Sequence, residues 1–213
     1  MKTLSIGAEA VLYVEDGKVI KQRQPKGYRI RELDDKLRLH RMRREAKVIA
    51  TLQQLGIPVP KLIKIDEKTA TLTMQLIEGK KVRDALSSSN CISICTEIGK
   101  TVGIMHKNNV VHGDLTTSNM IIGSSDSSVY FVDFGLSLFS SKDEDKAVDL
   151  HLFRQALSSS HHAIANDCFA AAIEAYKEAN SSGWKGVLNR LEKVEERGRN
   201  KGKGWKGREA ENI

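Results

Sequence analysis

The sequence predicts an α+β chain built as two lobes, β-rich first and helical after. Two observations carry this. The first third is made of short β-prone runs broken by turn residues, with one long helical stretch among them. After Glu78–Gly79 the apolar residues recur at helical spacing almost to the end. The length, 213 residues, suits one large domain or two small lobes.

In order along the chain, residues 3–6, 10–14 (AVLYV) and 18–22 (KVIKQ) read as strands, separated at Gly7 and at the hairpin signal Glu15–Asp16–Gly17. A helix is expected over about 30–55. Leu33, Leu37, Val48, Leu52 and Leu55 keep its period, and Gly56 and Pro58 end it. Strands at about 61–65 and 71–77 (TLTMQLI) complete a five-stranded antiparallel sheet with the helix packed on it. A helix at 91–107 follows, with Ile94, Cys95, Ile98, Val102 and Met105 on one side. Then come VHGDLTTSN, a short hairpin (MIIG, SSDSS, VYFVDFG) and three helices at about 143–158, 161–179 and 184–196. The divisions expected are 1–78 for the N-terminal lobe, 79–196 for the helical lobe and 197–213 for a basic flexible tail.

Composition narrows the class. With 40% hydrophobic and 29% charged residues the chain is ordinary for a globular protein. No apolar run reaches the roughly 18 residues of a membrane span, so no membrane is expected as partner. The N-terminus lacks the apolar core of a signal peptide. The three cysteines, Cys91, Cys95 and Cys168, read as buried thiols in a reducing compartment, hence a cytoplasmic or nuclear protein. The formal charge of +7 gathers in two blocks, Lys36–Lys47 and Arg197–Arg208. The second is glycine-rich, has no apolar period and carries Trp205. Its Arg197, Arg199, Lys201, Lys203, Lys206 and Arg208 are candidate contacts for a nucleic-acid phosphate backbone or an acidic partner.

Chemistry gathers at a few positions. His112, Asp114 and Asn119 stand in a stretch with no helical or strand period, between apolar Val110–Val111 and Met120–Ile122. Glu45 falls in or beside the inward stripe of the long helix, and a buried carboxylate needs a partner. Lys21, closing the strand VIK, is a candidate; the pair is either a structural ion pair or a device that orients Lys21 toward a phosphate. Asp133 closes a buried strand and is followed by Phe134 and Gly135; a carboxylate there, with the amide oxygen of Asn119, suits a hard cation such as Mg2+.

Taken in order, Lys21, Glu45, HxD at 112–114, Asn119 and DFG at 133–135 resemble the protein-kinase signature set. The resemblance runs from residue 3 to about 155. It implies a bilobal protein-kinase-like fold and ATP with Mg2+ as cofactors. Lys21 would hold the α/β-phosphates and Glu45 would hold Lys21. Asp114 would accept the proton of the attacking hydroxyl or water, and Asn119 and Asp133 would bind the metal. Ile6, Gly7, Ala8 and Glu9 would form the phosphate loop; Met74, Gln75, Leu76 and Ile77 would form the adenine-binding connector.

The departures are informative. The loop SIGAEAVLY carries one glycine, Gly113 stands where kinases place Arg, Thr116 replaces a Lys, and KAVDL (146–150) follows within about ten residues of Gly135, leaving no activation segment. GAEA, RREAK (43–47), HGDLTTSN, DFGLS, KAVDL and a basic C-terminus are together similar to the small atypical kinase subunit of the KEOPS (EKC) complex, with the RIO kinases as near relatives. That resemblance implies a Ser/Thr protein kinase and ATPase, regulatory in a complex that makes threonylcarbamoyladenosine in tRNA. Its partners would be the threonylcarbamoyltransferase catalytic subunit, a small KEOPS subunit and tRNA. Other readings are a regulatory ATPase and tRNA-binding subunit with little protein phosphotransfer, a RIO-like kinase, and a small-molecule phosphotransferase, which the basic C-terminus disfavours.

Overall fold

The computed structural model describes residues 2–7 and 9–203, with side chains through Arg197. Along the chain it forms strands β1 (Lys2–Ile6), β2 (Val11–Glu15) and β3 (Lys18–Gln22), helix α1 (Arg31–Gln54), and β4 (Leu62–Asp66), β5 (Thr71–Gln75) and β6 (Gly79–Lys81). Then follow α2 (Val82–Ala85), α3 (Cys91–Lys107), β7 (Val110–Val111), a 3-10 turn (Thr117–Asn119), β8 (Met120–Gly123), β9 (Val129–Phe131) and β10 (Leu138–Phe139). Helices α4 (Asp143–Ser160), α5 (Ala165–Ala179) and α6 (Trp184–Lys203) close the described chain. None of the described helices is long and apolar enough to cross a membrane.

The chain divides into two compact units. The first holds Met1–Leu86 and Thr117–Phe139. Its five-stranded antiparallel sheet runs in the order β1-β2-β3-β5-β4. The β2–β3 turn is made by Asp16 and Gly17, both at positive φ, the geometry that matches strand twist in a two-residue hairpin. Helix α1 lies against β4 and β5 and buries Met42, Ala46, Val48, Ile49 and Leu52. Burying each of Met42, Val48, Ile49 and Leu52 contributes roughly 1.5–3 kcal/mol, and Ala46 less. The apolar stripe starts later than the sequence suggests: Leu33 is 52% exposed, and the first turns bury Asp34 instead, held by Arg29, Arg38 and the Lys26 amide. Leu55 and Gly56 close the helix by bonding back to Thr51 and Gln53.

The unit boundary does not fall at residue 78. Strand β6 pairs with β8, and β8 with β9, so residues 117–139 join the first unit through a three-stranded sheet. A reading of local periodicity misses this because the pairing is non-local. The second unit holds Ser87–Thr116 and Ser140–Ile213. Its centre is α3 against α5, crossing so closely that a Cβ on Gly99 would sit 2.0 Å from the Ala172 carbonyl oxygen. Helix α6 packs on α4, with Val187 and Leu191 buried, and Arg190 and Arg197 form ion pairs with Glu144 at 2.5 and 2.6 Å.

Helix α6 runs on to Lys203, into the segment read from composition as flexible tail. Its amphipathic first turns are docked, and extending a formed helix is far easier than starting one. Cys91, Cys95 and Cys168 are free and buried.

Candidate active site

Lys21 and Glu45 come together in the first unit by alternation and period. Lys21 stands on β3 opposite Leu12 and Leu72, and its side chain faces α1. Glu45 shares the helix face of Met42, Ile49 and Leu52. The Lys21 ammonium donates to Glu45 Oε1 at 2.6 Å and to Asp133 Oδ1 at 2.7 Å. Burial works against the charged ammonium, but the Glu45 and Asp133 carboxylates outweigh it and raise its pKa above the ordinary lysine value. Glu45 is 1% exposed. Its second oxygen, Oε2, accepts from Arg23 Nη2 at 2.6 Å, a partner the sequence analysis did not identify. The clue was there: Arg23 lies two residues beyond Lys21, and alternate strand residues share a face.

Asp133 has φ +63°, an unusual conformation for a residue other than glycine, and its carboxylate side chain is 52% exposed. Phe134 beside it is buried and anchors the turn. The Val132 amide donates to the Asn119 carbonyl at 3.0 Å, so Asn119 is tied to the residue before Asp133. Two oxygen-bearing side chains of the type hard cations prefer are thus set on adjoining backbone, one of them largely open. Where Mg2+ is concerned, this donor set fits.

In the connector, Met74 is buried, and the Gln75 and Leu76 amides are already engaged by the Lys61 and Gly17 carbonyls at 2.9 and 3.0 Å. Those two amides are therefore not donors for a purine. An open cavity of about 460 Å³ lies against Gln75–Glu78 and the β8–β9 turn. None of Lys21, Glu45, Asn119 or Asp133 lines it, so it is not the phosphate site. In the first loop Ile6 is 79% exposed, the Gly7 amide donates to the Ala10 carbonyl, and Glu9 pairs with Arg41 of α1. Ala8 lies outside the described residues.

Asp114 belongs to the second unit and is half-buried, on a loop fixed from inside. Asp149, 1% exposed, accepts the His112 amide at 2.6 Å and the Gly113 amide at 2.8 Å. His106 Nε2 lies 3.3 Å from the same carboxylate, and His106 Nδ1 lies 3.1 Å from the Tyr176 hydroxyl, which also receives the Asn180 amide at 3.0 Å. With Nε2 protonated and Nδ1 accepting, every member of this chain is matched. Burial pushes the Tyr176 phenol up, well above its usual pKa. Gly113 has φ +81°, a left-handed conformation that favours glycine. His112 is fully buried, and its Nδ1 accepts the Asp114 amide at 3.3 Å. It shapes the loop. Asp149 is the functional residue that sequence reasoning passed over: KAVDL was noted as a pattern but not as the anchor of this loop.

Of the candidate tail contacts, Arg197 bonds Glu144 and the Lys193 carbonyl. Arg199, Lys201 and Lys203 lie on α6 by backbone alone, and Lys206 and Arg208 fall outside the described residues.

The sheet with its pinned helix, the Lys21–Glu45 pair and the held HGD loop define a protein-kinase-like domain. Residues 17–176 match the protein kinase domain family. The chain is 34% identical over 220 residues to the KEOPS complex subunit Bud32 of Pyrococcus abyssi, covering 96% of this chain and 99% of that protein. It is 38% identical over 200 residues to a probable bifunctional tRNA threonylcarbamoyladenosine biosynthesis protein of Methanothermobacter thermautotrophicus, covering 92% of this chain but 36% of that protein. The chain thus spans about a third of the length of that bifunctional relative. Among solved structures, the Rio2 kinase–ADP/Mg2+–phosphoaspartate complex of Chaetomium thermophilum aligns with TM-score 0.58 at 16% identity, over 92% of this chain and 70% of that one. That likeness is one of fold. The chain belongs to the Bud32 family of KEOPS kinase subunits.

Proposed function

We propose that this chain is an ATP- and Mg2+-dependent phosphotransferase and ATPase that serves as a subunit of a tRNA threonylcarbamoyladenosine complex. The observation that carries this reading is the Lys21 ammonium held at 2.6 Å by Glu45 and 2.7 Å by Asp133. An ammonium so placed is oriented toward a polyanion, and the carboxylate that shares it is open enough to take a cation.

In this reading Lys21 binds the α/β-phosphates and Glu45 keeps it from swinging away. Asn119 and Asp133 hold the metal, which when bound neutralises charge on the phosphate oxygens. Asp114 takes the proton from the attacking oxygen while Asp149 keeps its loop in register through the His112 and Gly113 amides. The connector at Met74–Ile77 receives the purine, and Ile6–Glu9 cover the phosphates.

Water as the acceptor is favoured by one observation. Helix α4 begins at Asp143, so only a short stretch after Gly135 is left to dock a protein substrate. The alternative acceptor is a Ser or Thr hydroxyl, on this chain or a partner. The partners proposed are the threonylcarbamoyltransferase catalytic subunit, a small KEOPS subunit, and tRNA met by the basic end of α6 and the residues after it. Free, buried thiols suit a reducing cytoplasm or nucleus.

Labelling with γ-labelled ATP, read together with phosphate release, tests the proposal. Wild type is expected to release phosphate or label itself, and Asp114→Ala to do neither with its fold intact. Equal turnover in the variant would contradict the assignment of the base.

A further inference from the structure

Arg23 is 3% exposed, more buried than Lys21 at 7%, yet the reaction as described gives it no task. Its Nη2 donates to Glu45 Oε2 at 2.6 Å while Lys21 holds Oε1 at 2.6 Å. One carboxylate therefore carries two cations, each on its own oxygen. Arg23 is itself fixed: its amide donates to the Ala70 carbonyl and its carbonyl accepts from Arg38 Nη1, both at 3.3 Å. Its guanidinium reaches the DFG turn, since a Cβ on Gly135 would lie 3.3 Å from Lys21 Nζ and 3.5 Å from Arg23 Nη2.

The charges of this cluster balance as they stand: Lys21 and Arg23 against Glu45 and Asp133. Buried charges are tolerated when so matched. The proposed reaction would disturb the balance, because Asp133 would hold the metal with its oxygens. Lys21 and Arg23 then face Glu45 alone, and one positive charge is left over. Without Arg23, Glu45 would neutralise Lys21 outright, and the phosphates would meet a spent ion pair.

We infer that Arg23 is a positioning residue that compensates Glu45 and so leaves the charge of Lys21 available to the nucleotide phosphates. The inference rests on the nucleotide site proposed above. It separates two duties that a lone Lys–Glu pair must combine, since Glu45 orients Lys21 while Arg23 absorbs the charge of Glu45. Arg suits the task because it stays protonated and its planar fork holds one geometry when buried. The pair also pins α1 to the sheet independently of Lys21.

Calorimetric titration of the full chain with Mg–ADP and with adenosine separates this from a packing role. Arg23→Met is expected to weaken Mg–ADP about tenfold, as loss of a unit charge near a phosphate should, and to leave adenosine within about twofold of wild type. The double variant Arg23→Met/Glu45→Gln restores the unpaired charge of Lys21 and is expected to recover most of the Mg–ADP affinity. Arg23→Lys, which keeps the charge, is expected to bind close to wild type. If Arg23→Met fails to fold, Arg23→Gln, which keeps a donor for Glu45 Oε2 but removes the charge, carries the same comparison and is expected to show the same selective loss of Mg–ADP affinity. Equal Mg–ADP affinity in Arg23→Met, an equal loss for adenosine and Mg–ADP, or a double variant no better than the single one would each overturn the inference. A wild-type chain that bound adenosine but gained nothing from the phosphates would instead overturn the nucleotide site itself, and this inference with it.

Discussion

Glu45 and Asp149 are both carboxylates 1% exposed, yet they are satisfied in opposite ways. Glu45, in the first unit, is held by the side-chain cations Lys21 and Arg23. Asp149, in the second, is held by two backbone amides and a histidine ring. Side-chain cations can shift to a new anion; backbone amides cannot leave without unmaking the loop. The first arrangement is made to exchange partners, and its outer member, Asp133, is half open to solvent. The second is closed and made to hold Asp114 in place. In the reading proposed above, charge near the nucleotide and rigidity behind Asp114 would thus be supplied by different physics in different units.

The comparison is tested most severely at Asp114. If the held loop exists for this side chain, Asp114→Ala lowers turnover by about two to four orders of magnitude while the denaturation midpoint stays at the wild-type value. Asp149→Ala should do the reverse first: it leaves two buried amides unmatched and lowers stability by about 3 kcal/mol, read by denaturant unfolding. A variant as stable as wild type would show that the amides find other partners and that the closed network is not what fixes the loop. Gly113→Ala forces a Cβ into a left-handed conformation and is expected to lose about 1–2 kcal/mol. No loss would mean the loop relaxes freely, against the rigidity argued for it.

The exchangeable side has its own signature in pH. Burial lowers and the two carboxylates raise the pKa of Lys21, with a net rise, so the folded state binds its proton more tightly than the unfolded chain does. The stability this contributes is complete below the ordinary lysine value of about 10.4 and is lost as pH climbs through the raised one. Denaturant midpoints of wild type should therefore fall in that alkaline window, and Lys21→Met should lack that component of the fall. The smallest effect is expected at Arg43, whose bidentate pair with Glu67 is exposed and screened by water. Arg43→Ala should leave both midpoint and turnover unchanged; a shift in either would mean that surface pairs on α1 matter in the way the buried ones do.

Much of the first unit was legible in the sequence because its order is local. The β2–β3 turn is written in Asp16–Gly17, and the stop of α1 in Gly56. Lys21, Glu45 and Asp133 were legible through the spacing of a known signature. Arg23 was not, although strand alternation places it beside Lys21, because nothing in periodicity says that one carboxylate will take two cations. Asp149 sits in an apolar helix face with Ala147, Leu150, Phe153 and Leu157, and a carboxylate there demanded a partner. What the sequence could not supply was that the partner would be backbone amides far along the chain. A separate non-local pairing, β6 with β8, places residues 117–139 in the first unit.

The central claim is that Asp133, drawn off Lys21, completes a magnesium–nucleotide site. The most direct measurement is thermal unfolding of wild type and Asp133→Asn with ATP, in Mg2+ and in a chelator. ATP should raise the melting temperature of wild type in Mg2+, much less in the chelator, and leave Asp133→Asn unprotected in both. Equal protection of Asp133→Asn by ATP in Mg2+ would contradict the account.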